Sequence, residues 1–595
     1  MRNSNHNLKI ISISICYLFL LDKPVKSQLT PDNTLGSDKS LVQTETNSKI
    51  DNIRGGVTKG INLFHSFKEF NVDSDRIVNF VHSPEVSNIL TRVTGGNPSE
   101  ILGTLSVSGN ANLYLINPNG IFFGPDAKLE LKGSFIGSTA DGIGLGSKDV
   151  FSAVDPAGSE LLSVEPGALF TNAIRQNKRT IINRANLAVN PGKNLTLSAD
   201  IIESSGAIAA PGGKIFLKAI DGDLNVTNVD TSNLNGGGGN IYLSATENIN
   251  IAGKIDASGG NFAVRIANFN DFGFLQVLSN TINNSGNVAL VAGKNIIFRP
   301  NSDLFANGLL GGKITLQARE DIFVKRSRIV SGTFSDKKGK KGGDMEVSAR
   351  SLYITDGINS KLEVSTLGSA NAGNLTINTS NSIVAIGDRD PLPTGIASLV
   401  YPNASGNGGN VTIKTDLLRL QNGTQISISS LGKGNGGLLK IKAREIELIG
   451  SGPIIASGLF SSVHLQDGDG GLIDINTNKL TIADGAIIGS SNFYVPEIDP
   501  LLPGNGTVGN IQISARKISL DRGRITASVN KKGGGDITIN STLYLLLSNQ
   551  SEISTDAGET VDFSGGNLVI NTPLIIAYPT DNKITAKAKS SRGGT

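Results

Sequence analysis

Apolar and polar residues alternate with a period of two through most of the second half of the chain. From Gly409 onward Val411 and Ile413 alternate with polar neighbours, then Leu418 and Leu420, then Ile426 and Ile428. The stretch after Gly509 repeats this with Ile511 and Ile513, Ile518 and Leu520, Ile525 and Ala527. The one after Gly471 does so with Ile473 and Ile475, Leu480 and Ile482, and Ile487. Such alternation gives a strand one apolar and one polar face. Each unit therefore predicts three short strands with glycine or asparagine at the corners.

The units open on a glycine followed by an alternating apolar triplet, as in Gly239-Asn240-Ile241-Tyr242-Leu243 and Gly312-Lys313-Ile314-Thr315-Leu316. Further openings fall at Gly286, Gly343, Gly373, Gly409, Gly437, Gly471, Gly509, Gly535 and Gly566. The long gap from Gly239 to Gly286 has room for two units. Three short strands cannot bury an apolar face alone, whereas stacked units bury it as one column. The expected fold is all-β, a right-handed parallel β-helix (solenoid) whose successive turns pair in parallel. A propeller or a leucine-rich repeat fits poorly, because the chain has no tryptophan and little helix-period spacing.

Composition agrees with a strand-and-turn protein. Glycine supplies 72 of 595 residues and charged residues only 18%, while 38% hydrophobic residues leave enough for a core. A net charge of +3 speaks against a nucleic-acid partner held by a general basic surface. At the start, Arg2 and Lys9 precede an apolar run from Ile10 to Leu21, and Val25 and Ser27 stand before Gln28. That is the pattern of a signal peptide over 1–27, too short to span a bilayer well. The sole cysteine, Cys16, lies within it, so the exported chain is expected to hold no disulfide.

Between Gln28 and about residue 275 the repeats are less regular and three strings stand out. They are Asn62-Leu63-Phe64-His65-Ser66-Phe67, then Asn88-Ile89-Leu90-Thr91-Arg92-Val93-Thr94-Gly95-Gly96, then Asn112-Leu113-Tyr114-Leu115-Ile116-Asn117-Pro118-Asn119-Gly120-Ile121. In this order, behind a signal peptide, they resemble the N-terminal secretion domain of the filamentous haemagglutinin family, exoproteins of two-partner secretion. The resemblance implies a secretion domain over 28–275 that caps the solenoid, and a β-helix repeat passenger over 276–595; the stop at Gly593-Gly594-Thr595 without a visible capping repeat leads us to expect a truncated product or a frayed last coil. It implies export through the periplasm, capture by an outer-membrane transporter barrel with periplasmic recognition domains, and a final place outside a double-membrane bacterium. Asn117, Pro118, Asn119, Gly120 and Ile121 match the family's transporter-recognition motif. The family's upstream Asn-Pro pair is replaced by Val81-His82-Ser83-Pro84-Glu85. The residues themselves predict a turn, with Pro118 fixing φ and Asn119-Gly120 supplying positive φ between two strands.

Candidate chemistry is sparse. His6, His65, His82 and His464 are far apart, no phosphate loop or nucleophile elbow is present, and neither metal nor cofactor is expected. His65 reads as a packed residue. Two acid pairs, Asp388 with Asp390 and Asp467 with Asp469 near His464, are the only footholds for a polysaccharide lyase or hydrolase, and neither pair recurs one turn later. Lys337, Lys338, Lys340 and Lys341 form a basic loop suited to a polyanion. The expected function is an adhesin-like exoprotein, not an enzyme, that meets a surface, glycan or matrix ligand. A β-helix polysaccharide lyase or hydrolase is the alternative.

Overall fold

A computed structural model describes residues 29–44, 48–146, 149–159, 161–171, 177–260, 264–265, 276–277, 283–355, 360–387, 394–451, 456–491, 504–528, 534–556 and 565–587. The regular structure among them is β, apart from one 3-10 turn at Gly36–Asp38. Among the described residues, no helix is long and apolar enough to cross a membrane. Forty strands belong to one sheet that winds along the chain as a parallel β-helix.

One column of core residues shows the winding. Leu63 pairs with Ile89, Ile89 with Leu113, and the series continues through Phe135, Leu195, Ile215, Ile241 and Val288. It runs on through Ile314, Met345, Leu375, Val411, Leu439, Ile473, Ile511, Ile537 and Leu568. From Leu63 to Ile537 every member is buried. The solenoid therefore begins in the first of the three strings and continues from Ile241 to Val288 without a change of register.

Two expectations need correction. The gap from Gly239 to Gly286 holds one turn and not two, because Ile241 pairs directly with Val288. The three strands predicted per unit are often two. Val411–Gln421 and Ile511–Asp521 each run through the first corner as a single strand. Burial jumps from Ala515 to Ile518 there, so the apolar set changes phase by one residue while the backbone stays extended. The next corner is turned by left-handed residues such as Asn422, Asp484 and Arg522.

The opening glycines follow from how closely the turns stack. A Cβ on Gly409 would lie 1.7 Å from the carbonyl oxygen of Gly373, and one on Gly471 would lie 1.8 Å from that of Gly437. No side chain fits at that approach. The next residue forms a polar ladder: Asp344 Oδ1 accepts the Asn374 N–H at 2.7 Å, Asn374 Oδ1 that of Asn410 at 3.1 Å, and Asn410 Oδ1 that of Leu438 at 3.0 Å. Corner amides that would otherwise lack a partner are satisfied from turn to turn.

At the N-terminal end the edge of the first turn is covered. Leu29–Pro31 and Val57–Lys59 both pair antiparallel with Asn62–Phe70, and Ser40–Thr44 pairs antiparallel with Ile50–Gly55. A three-stranded antiparallel sheet, Gly142–Leu145 with Asp149–Ser152 and Pro166–Phe170, lies outside the coil. It forms a second apolar cluster in which Phe64, Leu90 and Ile116 meet Ile143, Leu145 and Phe151. In the last described turn Leu574, Ile575 and Tyr578 are exposed.

Candidate functional site

The three strings are three successive turns of one sheet. Asn62 lies beside Asn88, and Asn88 beside Asn112. Their side chains form a ladder: Asn112 Nδ2 donates to Asn88 Oδ1 at 2.9 Å, and Asn88 Nδ2 to Asn62 Oδ1 at 3.2 Å. Asn62 Nδ2 then donates to the carbonyls of Leu162 at 2.9 Å and Val164 at 2.6 Å, which fastens the outer sheet to the coil.

Arg92 sits at the centre of this region with 1% of its surface exposed. Its Nε donates to Ser66 Oγ at 2.9 Å, one terminal nitrogen to Ser152 O and Ser159 Oγ at 2.7 Å each, and the other to Thr34 Oγ1 at 2.8 Å. Ser66 and Thr34 in turn donate to Asp32 at 2.7 and 2.6 Å, so the guanidinium reaches its countercharge through two hydroxyls. Burial pulls Arg92 down to about 10, with the Asp32 charge working against the fall. Burial also acts to raise Asp32, but its hydrogen bonds from Thr34, Thr94 and Ser66 outweigh that and leave the carboxyl below its ordinary value. Three separated segments thus supply the partners of one buried charge.

The motif Asn117 to Ile121 links the strands Asn112–Ile116 and Ile121–Phe123. Gly120 N–H donates to Asn117 O at 3.1 Å, closing a four-residue turn. Gly120 has φ of +126°, whereas Asn119 lies outside the left-handed region, contrary to expectation. Asn in the first position, Pro in the second and Gly in the fourth is the preference of a type I turn, which needs no left-handed residue at the third. Asn117 is fully buried: Nδ2 donates to Asn97 O and Ser99 Oγ at 3.0 Å each, and Oδ1 accepts the Asn119 N–H at 2.9 Å. Asn119 Nδ2 donates to Gly95 O at 2.7 Å, tying this string to the preceding one. Pro118, Gly120 and Ile121 are buried too. The folded domain therefore conceals most of the motif.

The substituted string Val81 to Glu85 forms a turn before the strand Asn88–Val93, with Ser83, Pro84 and Glu85 exposed. His65 is packed as expected. It is fully buried near Phe80, its Nδ1 is 3.0 Å from Ser40 Oγ, and its Nε2 meets no partner. Desolvation pushes it down to about 3.

In the second half, Asp388 and Asp390 lie outside the described residues. Asp467 and Asp469 are rungs of a second ladder. Asn371 Oδ1 accepts the Asn407 N–H at 2.9 Å, Asn407 Oδ1 that of Asn435 at 3.0 Å, and Asn435 Oδ1 that of Asp469 at 3.0 Å. Asp469 Oδ1 accepts from Thr507 N–H at 2.9 Å, and Asp467 Oδ1 from Asn505 Nδ2 at 2.9 Å. Lys337, Lys338, Lys340 and Lys341 are all exposed between the strands Arg328–Thr333 and Met345–Thr355. Lys341 Nζ pairs with Asp344 at 2.6 Å, while no ion pair among the described residues engages the other three.

One charged cluster escaped the sequence reading. Glu363, 2% exposed, receives Lys361 at 2.5 Å and the Tyr401 hydroxyl at 3.0 Å, and Arg328 on the adjoining turn pairs with Asp303 at 2.6 Å. Burial works to raise the Glu363 carboxyl, yet Lys361 and Tyr401 hold it below its ordinary value. Burial and Glu363 push Tyr401 well above its own. Each charge is met by another. Among the described residues, no three His, Cys, Asp or Glu side chains gather as a metal site.

Residues 27–290 match the family model of the TPS secretion domain. These residues carry a two-partner secretion domain, which indicates an exoprotein exported by a partner transporter and implies passage across the outer membrane of a Gram-negative bacterium. No curated protein matches it in sequence. Among solved structures, the secretion domain of HMW1 from Haemophilus influenzae is similar at 14% identity, over 95% of this chain and 99% of that one, with a TM-score of 0.22.

Proposed function

We propose that the chain is an adhesin-like exoprotein in which residues 28–275 direct export and residues 276–595 form a rod that binds instead of catalysing, outside the cell or on its surface. The observation that carries this reading is the pair of polar ladders. The acids that an enzyme would keep for catalysis, Asp467 and Asp469, accept hydrogen bonds from the following turn, and the long coil leaves its outward residues for contact. The exposed lysine loop supports a polyanionic ligand.

In this reading, Asn117 to Ile121 serve twice. Their burial in the folded domain means that a transporter would meet them on the unfolded chain, before the turn closes, by strand addition. Secretion from a double-membrane host tests the proposal, with the candidate barrel present or absent and with Asn117→Ala and Asn119→Ala. Release is expected to need the barrel and to fall in variants that still refold in vitro. Release of both variants at the level of the unmodified chain would remove the motif's transport role. The released chain is expected to bind cells and to leave acidic polysaccharides uncut; steady turnover of such a substrate would replace the adhesive reading with the lyase or hydrolase one.

A further inference from the structure

The two asparagine ladders run side by side. Between them the glycine pairs Gly408-Gly409 and Gly436-Gly437 leave a trough of about 670 Å³, walled by Asn371 and Asn407 on one side and Asn374 and Asn410 on the other. A second hollow of about 370 Å³ shares Gly470, Gly471 and Leu472 with the first and continues to Gly534. The two make one groove along the rod axis. Lys341 lines its N-terminal end, and the Asn371 N–H donates to Lys340 O at 2.8 Å, so the lysine loop stands at the groove mouth.

The amides in the walls are oriented by the fold. Each Oδ1 of Asn371, Asn374, Asn407, Asn410 and Asn435 accepts a backbone N–H from the next turn. That bond fixes which end of the amide points inward and turns Nδ2 away from it. Among the described residues, none of these five Nδ2 groups meets a protein acceptor. The groove thus offers donors in two rows, repeating at the strand spacing of about 4.8 Å. One row stops at Asp469, where a carboxylate replaces the amide, and the other at Leu438, which has none.

We propose that this groove binds a linear homopolymer of uronate sugars, with a carboxylate on every unit and one sugar unit to each turn. The inference rests on the adhesive reading and names its ligand. Donors without acceptors select a ligand rich in hydroxyl and carboxylate oxygens. The rung spacing is close to the length of one sugar in an extended chain, so a single register can satisfy successive turns. Lys337, Lys338 and Lys340 supply positive charge that favours a uronate chain over a neutral one. Asp469 repels carboxylates and limits the reading frame to the turns that begin at Asn371, Asn407 and Asn435.

The full chain is titrated by calorimetry with a galacturonate hexamer, a neutral glucose hexamer and a heparin hexasaccharide. The decisive variant is N407D/N410D. Asp keeps the oxygen that the next turn needs, as Asp344, Asp469 and Asp536 do in this chain, but removes the outward N–H and adds negative charge. The galacturonate hexamer is expected to bind more tightly than the other two, and the variant to bind it at least about tenfold more weakly with an unchanged unfolding curve. Equal binding of heparin, undiminished binding by N407D/N410D, or a loss seen only in K337E/K338E/K340E would overturn the groove and leave a loop that attracts polyanions. Adhesion to cells that is indifferent to N407D/N410D would also overturn the groove while the adhesive reading stands. A chain that binds neither cells nor any of the three sugars would remove both.

Discussion

The guanidinium of Arg92 lies 4.5 Å above the ring of Phe151, a residue of the sheet outside the coil, and so joins the two apolar clusters of the secretion domain. The same group is hydrogen-bonded to Thr34 at the N-terminal edge and to Ser66 one turn below. Arg92→Met should therefore cost about 3–5 kcal/mol, since it strands buried oxygens and loosens three segments together. Urea unfolding of the full chain, followed by circular dichroism, measures this. The same change at exposed Arg54 should stay within about 0.5 kcal/mol.

Gly95 and Gly96 are adjacent in sequence and opposite in tolerance. A Cβ on Gly95 would come 2.0 Å from the Lys68 carbonyl oxygen, whereas one on Gly96 would meet nothing within 4 Å. Gly95→Ala should destabilise by about 3 kcal/mol or more, and Gly96→Ala by less than about 1. Thermal melts of the pair decide it, and similar melting points would mean that the backbone at Gly95 yields.

Within the Asn117–Gly120 turn the two asparagines should differ as their burial does. Asn117→Ala removes a fully buried amide and leaves Ser99 Oγ and two backbone groups unmatched, for an expected loss of about 2–3 kcal/mol. Asn119→Ala loses mainly the bond to Gly95 O, about 1 kcal/mol. Denaturant midpoints rank them, and the ranking separates folding defects from transport defects in the secretion assay.

Acid sensitivity should begin above the carboxylate range. His65 is held near 3 when folded against about 6.5 when unfolded, so the unfolded chain binds the extra proton first. Stability should fall as pH drops below about 6.5, by up to about 1.4 kcal/mol per unit, until the folded value is reached. Asp32 and Asp51 are depressed in the folded state, so their contribution is lost only below the ordinary carboxylate range. His65→Gln should flatten the stability profile between pH 7 and 5. An unchanged slope would assign the proton uptake elsewhere.

The solenoid was legible because its physical requirements leave marks on the chain. Close stacking demands the glycines at Gly373, Gly409, Gly437 and Gly471, and a one-sided core demands the alternation that follows each of them. The strings beginning at Asn62, Asn88 and Asn112 were legible as a group, but not their register, because nothing local shows that residues 26 and 24 apart share a column. The corner at Ala515-Ile518 was missed for a similar reason: the phase of burial changes there without any turn residue to mark it. The Glu363, Lys361 and Tyr401 cluster joins positions up to 38 residues apart, so only the coil brings it together. In the turn, the positive φ assigned to Asn119 assumed a left-handed residue, whereas Pro118 in the second position is equally at home in a turn whose third residue keeps negative φ, as Asn119 does.

The antiparallel strands over the first turn give the molecule a polarity. Leu29–Pro31, Val57–Lys59 and Ser40–Thr44 cover the edge at which another coil could be laid down, so turns can be added only on the opposite side. A chain emerging through a pore would then condense like a zipper with a single slider. Each completed coil buries its apolar row against the one before and makes backward slippage of the chain costlier, so the free energy of folding becomes a one-way pull on the segment still inside.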